Sequence, residues 1–539
     1  MMYLAHAGTA LQVIKNDGTV VTLTLPSGVT MSSTYRARSG VLGQHVVIVN
    51  APSENLWLDT TDNVLRRLSS IPPLSPPTLV AGSGTGLTGD YQAKCSFAVK
   101  DVSGFLLSES PLSPVSSAVT LANENLTVSN LPISLNPDVT CRRIYRTASG
   151  GTVFFHAMDI DDNFTTSVVD GLSDDSLSRL PSDPDLGNPA AAIPGERLTN
   201  IVAWKDRLWA VAARYDLRDH VIFTSASKFY AWPAANDFPA YPVGEDTYGV
   251  TGFLARRDAL GVLKRNRLMK IVGSSEADFE MIIVVEEQGC IAQESCIVIR
   301  DVGYWLAKDG VYSWSDAGVK CITRKNVDPW FTTDDYFNRA QFQNAIGGYN
   351  PITNCYELNL AAAGSSNQDR WISYHIDKDE WLGPHTTAAL TPTARALLYS
   401  DDNDARVVQG ADDGYLYLAN QAGNKDVHGG TGFAHAIDGL LRTKWHSGGA
   451  PDSTHFFGHL SVLSRIESVG LLQVTPYVGR LNAAAGAAID VNLAGSGRSR
   501  HRRLGVGPLC SLEFRQNQTN SRFLLYGYEI KPAFEVGVR

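Results

Sequence analysis

Tyr304-Trp305-Leu306-Ala307, then Lys308-Asp309-Gly310, then Val311-Tyr312-Ser313-Trp314: an apolar aromatic run, a polar turn ending in glycine, and a second aromatic run. Two β-prone runs joined by Asp-Gly predict a hairpin, because glycine enters the left-handed region without steric cost. The same grammar recurs along the chain. It is present in Val46-Val47-Ile48-Val49 with Leu56-Trp57-Leu58, and in Ile201-Val202-Ala203-Trp204 with Arg207-Leu208-Trp209. Leu260–Leu263 with Leu268–Ile271, Trp371–Tyr374 with Trp381, and Val407–Gln409 with Tyr415–Leu418 repeat it.

Taking Leu208, Leu268, Val311, Trp381 and Tyr415 as equivalent positions gives a mean spacing of about 52 residues, near the ~40–50 of a four-stranded propeller blade. A lone hairpin cannot bury its apolar face, and blades stacked around an axis can. The expectation is an all-β chain: a β-propeller of about six blades. Unrelated hairpins in sandwiches are the alternative reading.

The step from Leu56 to Leu208 is too long for one blade, so a domain is inserted there. The stiff run Ile71-Pro72-Pro73-Leu74-Ser75-Pro76-Pro77 leads into it, and Leu180–Pro184 with Ile193-Pro194-Gly195 leads out. Between them lie about seven short β-rich runs: 89–91, 97–99, 118–121, 126–128, 143–146, 153–156 and 166–169. This predicts a small β-sandwich of immunoglobulin or fibronectin type III shape. After Asn420–Asn424 the blade grammar stops, and residues to 539 alternate as a second sandwich-like domain, with Gly495 to Arg503 read as a flexible loop. The domains are therefore 1–70 (an N-terminal hairpin around Asn16-Asp17-Gly18, and the first blade), 71–192 (the inserted sandwich), 193–425 (the remaining blades) and 426–539 (the C-terminal β domain).

Composition limits the function. The 539 residues carry 46 Lys+Arg against 55 Asp+Glu, a formal net charge of -9. That argues against a basic nucleic-acid coat. Seven cysteines are scattered without a Cys-x-x-Cys pair, so reduced, structural thiols are expected rather than a disulfide framework or zinc site. No basic n-region opens the chain and no run of ~18 apolar residues occurs, so neither a signal peptide nor a membrane segment is expected.

The search for catalytic or metal-binding grammar comes back empty, and no cofactor is expected. His455 and His459 are four apart, but on a strand that spacing is roughly 13 Å, too wide for one metal. Asp159-Ile160-Asp161-Asp162-Asn163 and Asp401-Asp402-Asn403-Asp404 lack the glycine and terminal glutamate of a calcium loop and read as solvated turns. Ser315-Asp316-Ala317-Gly318 departs from a sialidase-type Asp box in spacing and tail. The one dense basic run is Arg498-Ser499-Arg500-His501-Arg502-Arg503. Arg498, Arg500, Arg502 and Arg503 could meet phosphate, or acidic patches on a neighbouring subunit.

Three features together resemble the tail nozzle, or tail hub, proteins of short-tailed bacteriophages. The first is Ser108-Glu109-Ser110-Pro111-Leu112-Ser113-Pro114 followed by Cys141–Thr147, similar to fibronectin-type inserts of phage tail proteins. The second is Trp204–Trp209 leading to Val221–Ser225 and Phe229–Trp232, and the third is Gly289–Ser295 running to Trp305–Tyr312. The resemblance spans roughly residues 40–420. It implies a structural, non-enzymatic virion protein, a homohexameric tube that retains genomic DNA and conducts it on ejection. It further implies a tail adaptor above, fibres or spikes outside, and only transient, non-specific contact with DNA. The location implied is the virion tail, assembled in the host cytoplasm. A receptor-binding adhesin and a propeller enzyme acting on glycan are the rival readings.

Overall fold

Strands dominate the computed structural model, and most lie in short antiparallel sheets whose strands neighbour one another in chain order. The structure describes residues 2–15, 19–68, 72–177, 197–213, 218–233, 236–239, 249–324, 327–386, 391–399, 405–418, 425–428, 433–436, 439–447, 454–464, 471–481, 483–492, 498–516 and 525–535. No helix among them is long and apolar enough to cross a membrane. The chain divides into two compact units, residues 1–334, 342–347 and 399–404, and residues 335–341, 348–398 and 405–539.

The fold is all-β and of the β-propeller class. In the first unit four blades follow the same plan. Blade 1 is Arg38–Leu42, His45–Val49, Leu56–Asp59 and Leu65–Arg67. Blade 2 is Leu198–Trp204, Arg207–Ala212, His220–Phe223 and Asp237–Pro239. Blade 3 is Gly252–Ala255, Leu260–Leu263, Arg267–Val272 and Glu280–Glu286. Blade 4 is Ile297–Ile299, Val302–Ala307, Gly310–Ser315 and Gly318–Cys321. The first strand of blade 2 packs beside the first strands of blades 1 and 3, and that of blade 3 beside that of blade 4. First strands are thus innermost and fourth strands form the rim.

The cores lie between blades. Trp57, Val47 and Val49 of blade 1 meet Leu208, Ala210 and Phe229. Trp209, Val211 and Phe223 of blade 2 meet Leu260, Val262, Met269 and Ile271. Leu254, Leu263 and Leu268 of blade 3 meet Trp305, Tyr312 and Trp314. Gly261 shows how close the approach is: a Cβ there would stand 2.7 Å from the Trp314 ring. The N-terminal strands Met2–Ala7, Ala10–Lys15 and Val20–Thr22 form a sheet of their own, a correction to a bare hairpin, and Leu11, Val13 and Leu23 cover Ile48, Leu56 and Leu58 of blade 1. The turn expected at Asn16–Gly18 lies outside the described residues.

The second unit holds two further blade-type sheets. One is Ile346–Asn350, whose first two residues count with the first unit, then Cys355–Leu360, Arg370–His375 and Glu380–Thr386. The other has three strands, Pro392–Tyr399, Ala405–Ala411 and Leu416–Leu418. The six sheets account for the about six blades expected. The hairpins read as equivalent are not. The expected hairpin is strands one and two in blade 2, strands two and three in blades 3 and 4, and strands three and four in blade 5, the sheet that contains Cys355–Leu360. Counted on second strands, which begin at Arg207, Leu260, Val302, Cys355 and Ala405, the blades are spaced 42 to 53 residues. The uneven spacing came from this slip, not from insertions.

The insert is a two-sheet sandwich. Leu106–Glu109, Ala93–Lys100, Cys141–Arg146 and Phe155–Ile160 form one sheet in that order, and Ser167–Asp170, Val119–Ser129 and Thr78–Tyr91 the other. Seven strands split four and three, as in immunoglobulin-type domains. The expected runs 118–121 and 126–128 are one strand, and Leu106–Glu109 supplies the seventh. The Ser-Pro motif has a structural account. The hydroxyls of Ser110, Ser113 and Ser116 accept the amides of Phe97, Cys95 and Ala93 at 2.9, 3.0 and 2.9 Å, so every third residue of a proline-containing segment zips onto every second residue of a strand. The expected exit at 180–195 lies outside the described residues.

The C-terminal domain packs Gly439–Arg442, Leu509–Gln516, Leu471–Gly479 and Ile489–Asn492 against Arg498–Gly507, His455–Ser464 and Leu525–Glu535 around Leu460, Val462, Leu472, Leu512 and Phe514. All seven cysteines are free.

Gly310 sits at φ 152°, and a Cβ there would lie 2.2 Å from Thr323 Oγ1, the atom that accepts the Val311 amide. Gly310→Val should therefore cost on the order of 1–3 kcal/mol. An unchanged melting temperature would sink this account of the blade 4 turn.

Candidate functional site

Charged side chains collect where the inner strands converge. Arg38 opens the first strand of blade 1. Its guanidinium donates to the Thr199 carbonyl on blade 2 at 2.9 Å and to Glu294 Oε1 at 2.6 Å. Glu294 lies in the single helical turn Gln293–Ser295 that leads into blade 4. Arg36 adds a second, longer ion pair to Glu294 at 3.9 Å. One carboxylate thus holds two guanidinium groups and ties three blades together. Burial lowers the Arg36 pKa, Glu294 raises it and Arg38 lowers it. The backbone between the arginines is fixed as well, since the Ala37 amide donates to His6 Nδ1 at 3.3 Å and burial disfavours the charged form of His6.

The same device recurs elsewhere in each unit. Lys264 of blade 3, fully buried, pairs with Asp219 at the approach to the third strand of blade 2. Arg256 donates to the Asp301 carbonyl at 2.7 Å and to Asp316 at 2.6 Å, joining blades 3 and 4, while its own carbonyl accepts the Trp204 indole N–H from blade 2. In the second unit Arg395 pairs with Glu357, both 2% exposed, and Asn350 donates to the same carboxylate at 2.9 Å. Gly348 leaves the room, since a Cβ there would lie 2.5 Å from Arg395 Cδ. Burial lowers the Arg395 pKa to about 10, which leaves it charged at neutral pH.

Chemically, the Arg36–Arg38–Glu294 cluster is a clamp in which, among the described residues, two guanidinium groups share one carboxylate. Among the described residues Glu294 is the one carboxylate paired with either arginine, so no acid–base couple is assembled there. No group of three or more metal-ligating side chains occurs among the described residues.

The insert carries the densest ionic network. Arg146 and Asp170 are both fully buried and paired at 2.6 Å, and Asp174 joins at 2.7 Å. Glu109 takes Arg143, the Tyr145 hydroxyl and the Ser96 hydroxyl. Asp159 binds Lys100, Arg143 and His156, and Asp162 binds Arg142. The stretch Asp159–Asn163 is only in part the solvated turn expected: Asp159 sits in strand Phe155–Ile160 and, like Asp162, is paired with a cation, whereas Asp161, paired with Lys100, stays 71% exposed. Asp401–Asp404 lies outside the described residues. Burial favours neutral Asp159, but hydrogen bonds from His156, Lys100 and Arg143 outweigh it and hold the carboxyl well below the usual range.

Arg146 lies towards one end of the sandwich, opposite Ala93, whereas the Lys100, Arg142, Asp159 and Asp162 pairs brace the other end. The turn at 101–105, the loop at 130–140 and the loop at 161–166 share this end, since Lys100 pairs with Leu106, Ala98 with Cys141, Arg142 with Ile160 and Ser129 with Ser167. The Asn163 side chain ties two of these loops through both the amide and the carbonyl of Ser134. Val102, Phe105, Ile133, Leu135 and Phe164 are displayed there, Val102 and Leu135 without cover.

Arg498, Arg500, Arg502 and Arg503 do not lie in a loop. They fall in strand Arg498–Gly507, the edge of a sheet, in register with Leu463, Ser461 and His459 for the first three. Alternation of Arg with Ser and His across a stretch ending in Leu504 and Val506 was the missed strand signal. His455 and His459 lie on a strand, as read. The inner-strand clamp gave no signal in sequence, because Arg38 and Glu294 stand 256 residues apart.

No family model and no curated protein matches the chain. Among solved structures it is similar to YCF48 bound to a D1 peptide, at 9% identity and TM-score 0.26, over 40% of this chain and 62% of that one. It is also similar to YCF48 from Cyanidioschyzon merolae, at 12% and 0.29 over 58% and 92%, and to BamB from Moraxella catarrhalis, at 9% and 0.29 over 77% and 93%. The chain spans about 62% of the first of these. These likenesses carry nothing about activity.

Two outcomes follow from the insert's network. Asp170→Asn leaves Arg146 buried with a lost partner and should destabilise the insert by about 3–5 kcal/mol. A melting temperature unchanged in that variant would contradict the pairing. Asp159 and Asp174 are depressed carboxyls, so their contribution is complete above the ordinary carboxylate pKa of about 4 and is lost as pH falls through the lower folded values. Near-ultraviolet circular dichroism should therefore hold below pH 4 and fail only in stronger acid. Loss of signal at pH 5 would contradict it.

Proposed function

We propose that the chain is a structural part of a virion tail, the nozzle of a short-tailed bacteriophage, built as a homohexameric tube that retains genomic DNA and conducts it during ejection. The observation that carries this reading is how its charges are used. Guanidinium and carboxylate groups that an enzyme would present to a substrate are spent here on tying blade to blade and loop to loop. That is the economy of a part that bears force. The resemblance of Trp204–Trp232 and Gly289–Tyr312 to tail hub proteins supplies the rest. A net charge of -9 suits a conduit, since each phosphate gripped must be released again as the duplex moves. On this reading the protein is not an enzyme, its partners are copies of itself, a tail adaptor above and fibres or spikes outside, and it assembles in the host cytoplasm.

A receptor-binding role is the second reading, and the braced apolar end of the insert favours it. Five large apolar side chains on three neighbouring loops, two of them tied through Asn163, form a surface of the kind that marks a protein partner. Electron microscopy of the purified full chain separates the two. A closed six-fold ring with an open axis is expected. A monomer or trimer, together with binding to host cells, would overturn the nozzle and leave the receptor-binding reading.

A further inference from the structure

The rim of blade 3 has an open edge. Its fourth strand, Glu280–Glu286, pairs inward with Arg267–Val272, and no strand among the described residues pairs its other side. It reads Glu-Met-Ile-Ile-Val-Val-Glu. Met281, Val284 and Val285 lean on the interblade cores, whereas Ile282 and Ile283 are exposed. The register shifts opposite Leu268 and Met269, so Val284 is an extra residue and both isoleucines beside it stay in solvent. Glu280, Glu286 and Glu287 are exposed around this stretch and form no ion pair with any described residue. An apolar, β-prone edge with unpaired backbone groups is a template for another strand.

A second open edge lies in the C-terminal domain. Strand Arg498–Gly507 pairs on one side with His455–Ser464 and stands at the end of its sheet. It begins Arg-Ser-Arg-His-Arg-Arg and ends near Val506, which is exposed. One edge therefore bears three glutamates that form no ion pair among the described residues, and the other bears four arginines within six residues.

We propose that these two edges join copies of the chain: the glutamate-flanked edge of blade 3 on one copy receives the arginine edge of the next copy as an added strand. This rests on the homo-oligomeric reading above and names the contact that builds it. Main-chain hydrogen bonds form along both edges, the apolar residues leave water, and opposite charges face each other across the new pair. Because the two edges differ, the contact is heterologous. Each copy uses one edge towards one neighbour and the other towards the second neighbour, so repetition closes a ring or extends a filament. The arginines then serve subunit joining, not the DNA path.

Charge exchange in the full-length protein tests this, read by sedimentation velocity and native mass spectrometry. E280R/E286R/E287R and R498E/R500E/R502E should each weaken self-association by about tenfold or more. The chain carrying both sets should assemble again, which also shows that the substitutions are compatible with folding. The two single-set proteins mixed together should co-assemble with the two kinds of copy alternating, since both interfaces between unlike copies are complementary and both between like copies are not. Assembly that ignores the single sets, or that the combined set fails to restore, overturns the edge pairing and leaves the ring reading standing. A wild-type chain that stays monomeric at every concentration overturns both.

Discussion

Each blade of the first unit has two apolar faces, and everything else there follows from covering both. Trp57, Trp209 and Trp305 are all fully buried, yet none lies in a core that its own sheet could make. Trp209 stacks on Phe223 of its own blade at 4.3 Å and is sealed by blade 3, and Trp305 is sealed by blade 3 from the other side. A four-stranded sheet buried on both faces is stable only between neighbours, so the blades form as a series. The N-terminal sheet obeys the same demand: three short strands cover the face of blade 1 that blade 2 does not reach.

Apolar stacking brings blades together without deciding their angle, because the hydrophobic effect is non-directional. The ionic clamps add direction. Arg38 reaches a carbonyl on one blade and a carboxylate leading into another, and Arg256 does the same between blades 3 and 4. Arg256 is buried, but Glu294 is about a third exposed and Asp316 is 95% exposed, so the ion pairs themselves add little net stability. What such pairs supply is a defined geometry between blades.

The inserted sandwich applies the rule at smaller scale. Its core of Leu121, Leu126, Val128 and Ile144 is its own, while Val99 and Leu107 pack into the core shared by blades 1 and 2. Arg67 on the last strand of blade 1 donates its amide to Asp138 of the insert at 3.0 Å. The insert is therefore fastened to the blades, and its braced apolar loops are presented from a fixed base. The rim of blade 3 and the edge of the C-terminal domain are the other places where the chain leaves chemistry unused.

The class of fold was legible because it rests on local chemistry. Alternating aromatic runs and turns such as Lys308-Asp309-Gly310 report hairpins directly, and proline-rich Ile71–Pro77 with its following strands reports an inserted sandwich. Local chemistry does not say which hairpin of a blade is being read, since strands one-two and three-four carry the same pattern, and the register slipped in blades 2 and 5. Nor does it separate a basic loop from a basic edge strand, because arginine suits both, and only pairing with His455–Ser464 makes Arg498–Gly507 a strand. The sequence by itself determined the sheets, their repetition and the absence of familiar catalytic grammar, all properties of residues close in the chain. The tertiary structure alone decided the Arg36–Arg38–Glu294 clamp, the ion pairs that consume Asp159 and Asp162, and which edges remain open, because each depends on groups that folding brings together from distant parts of the chain.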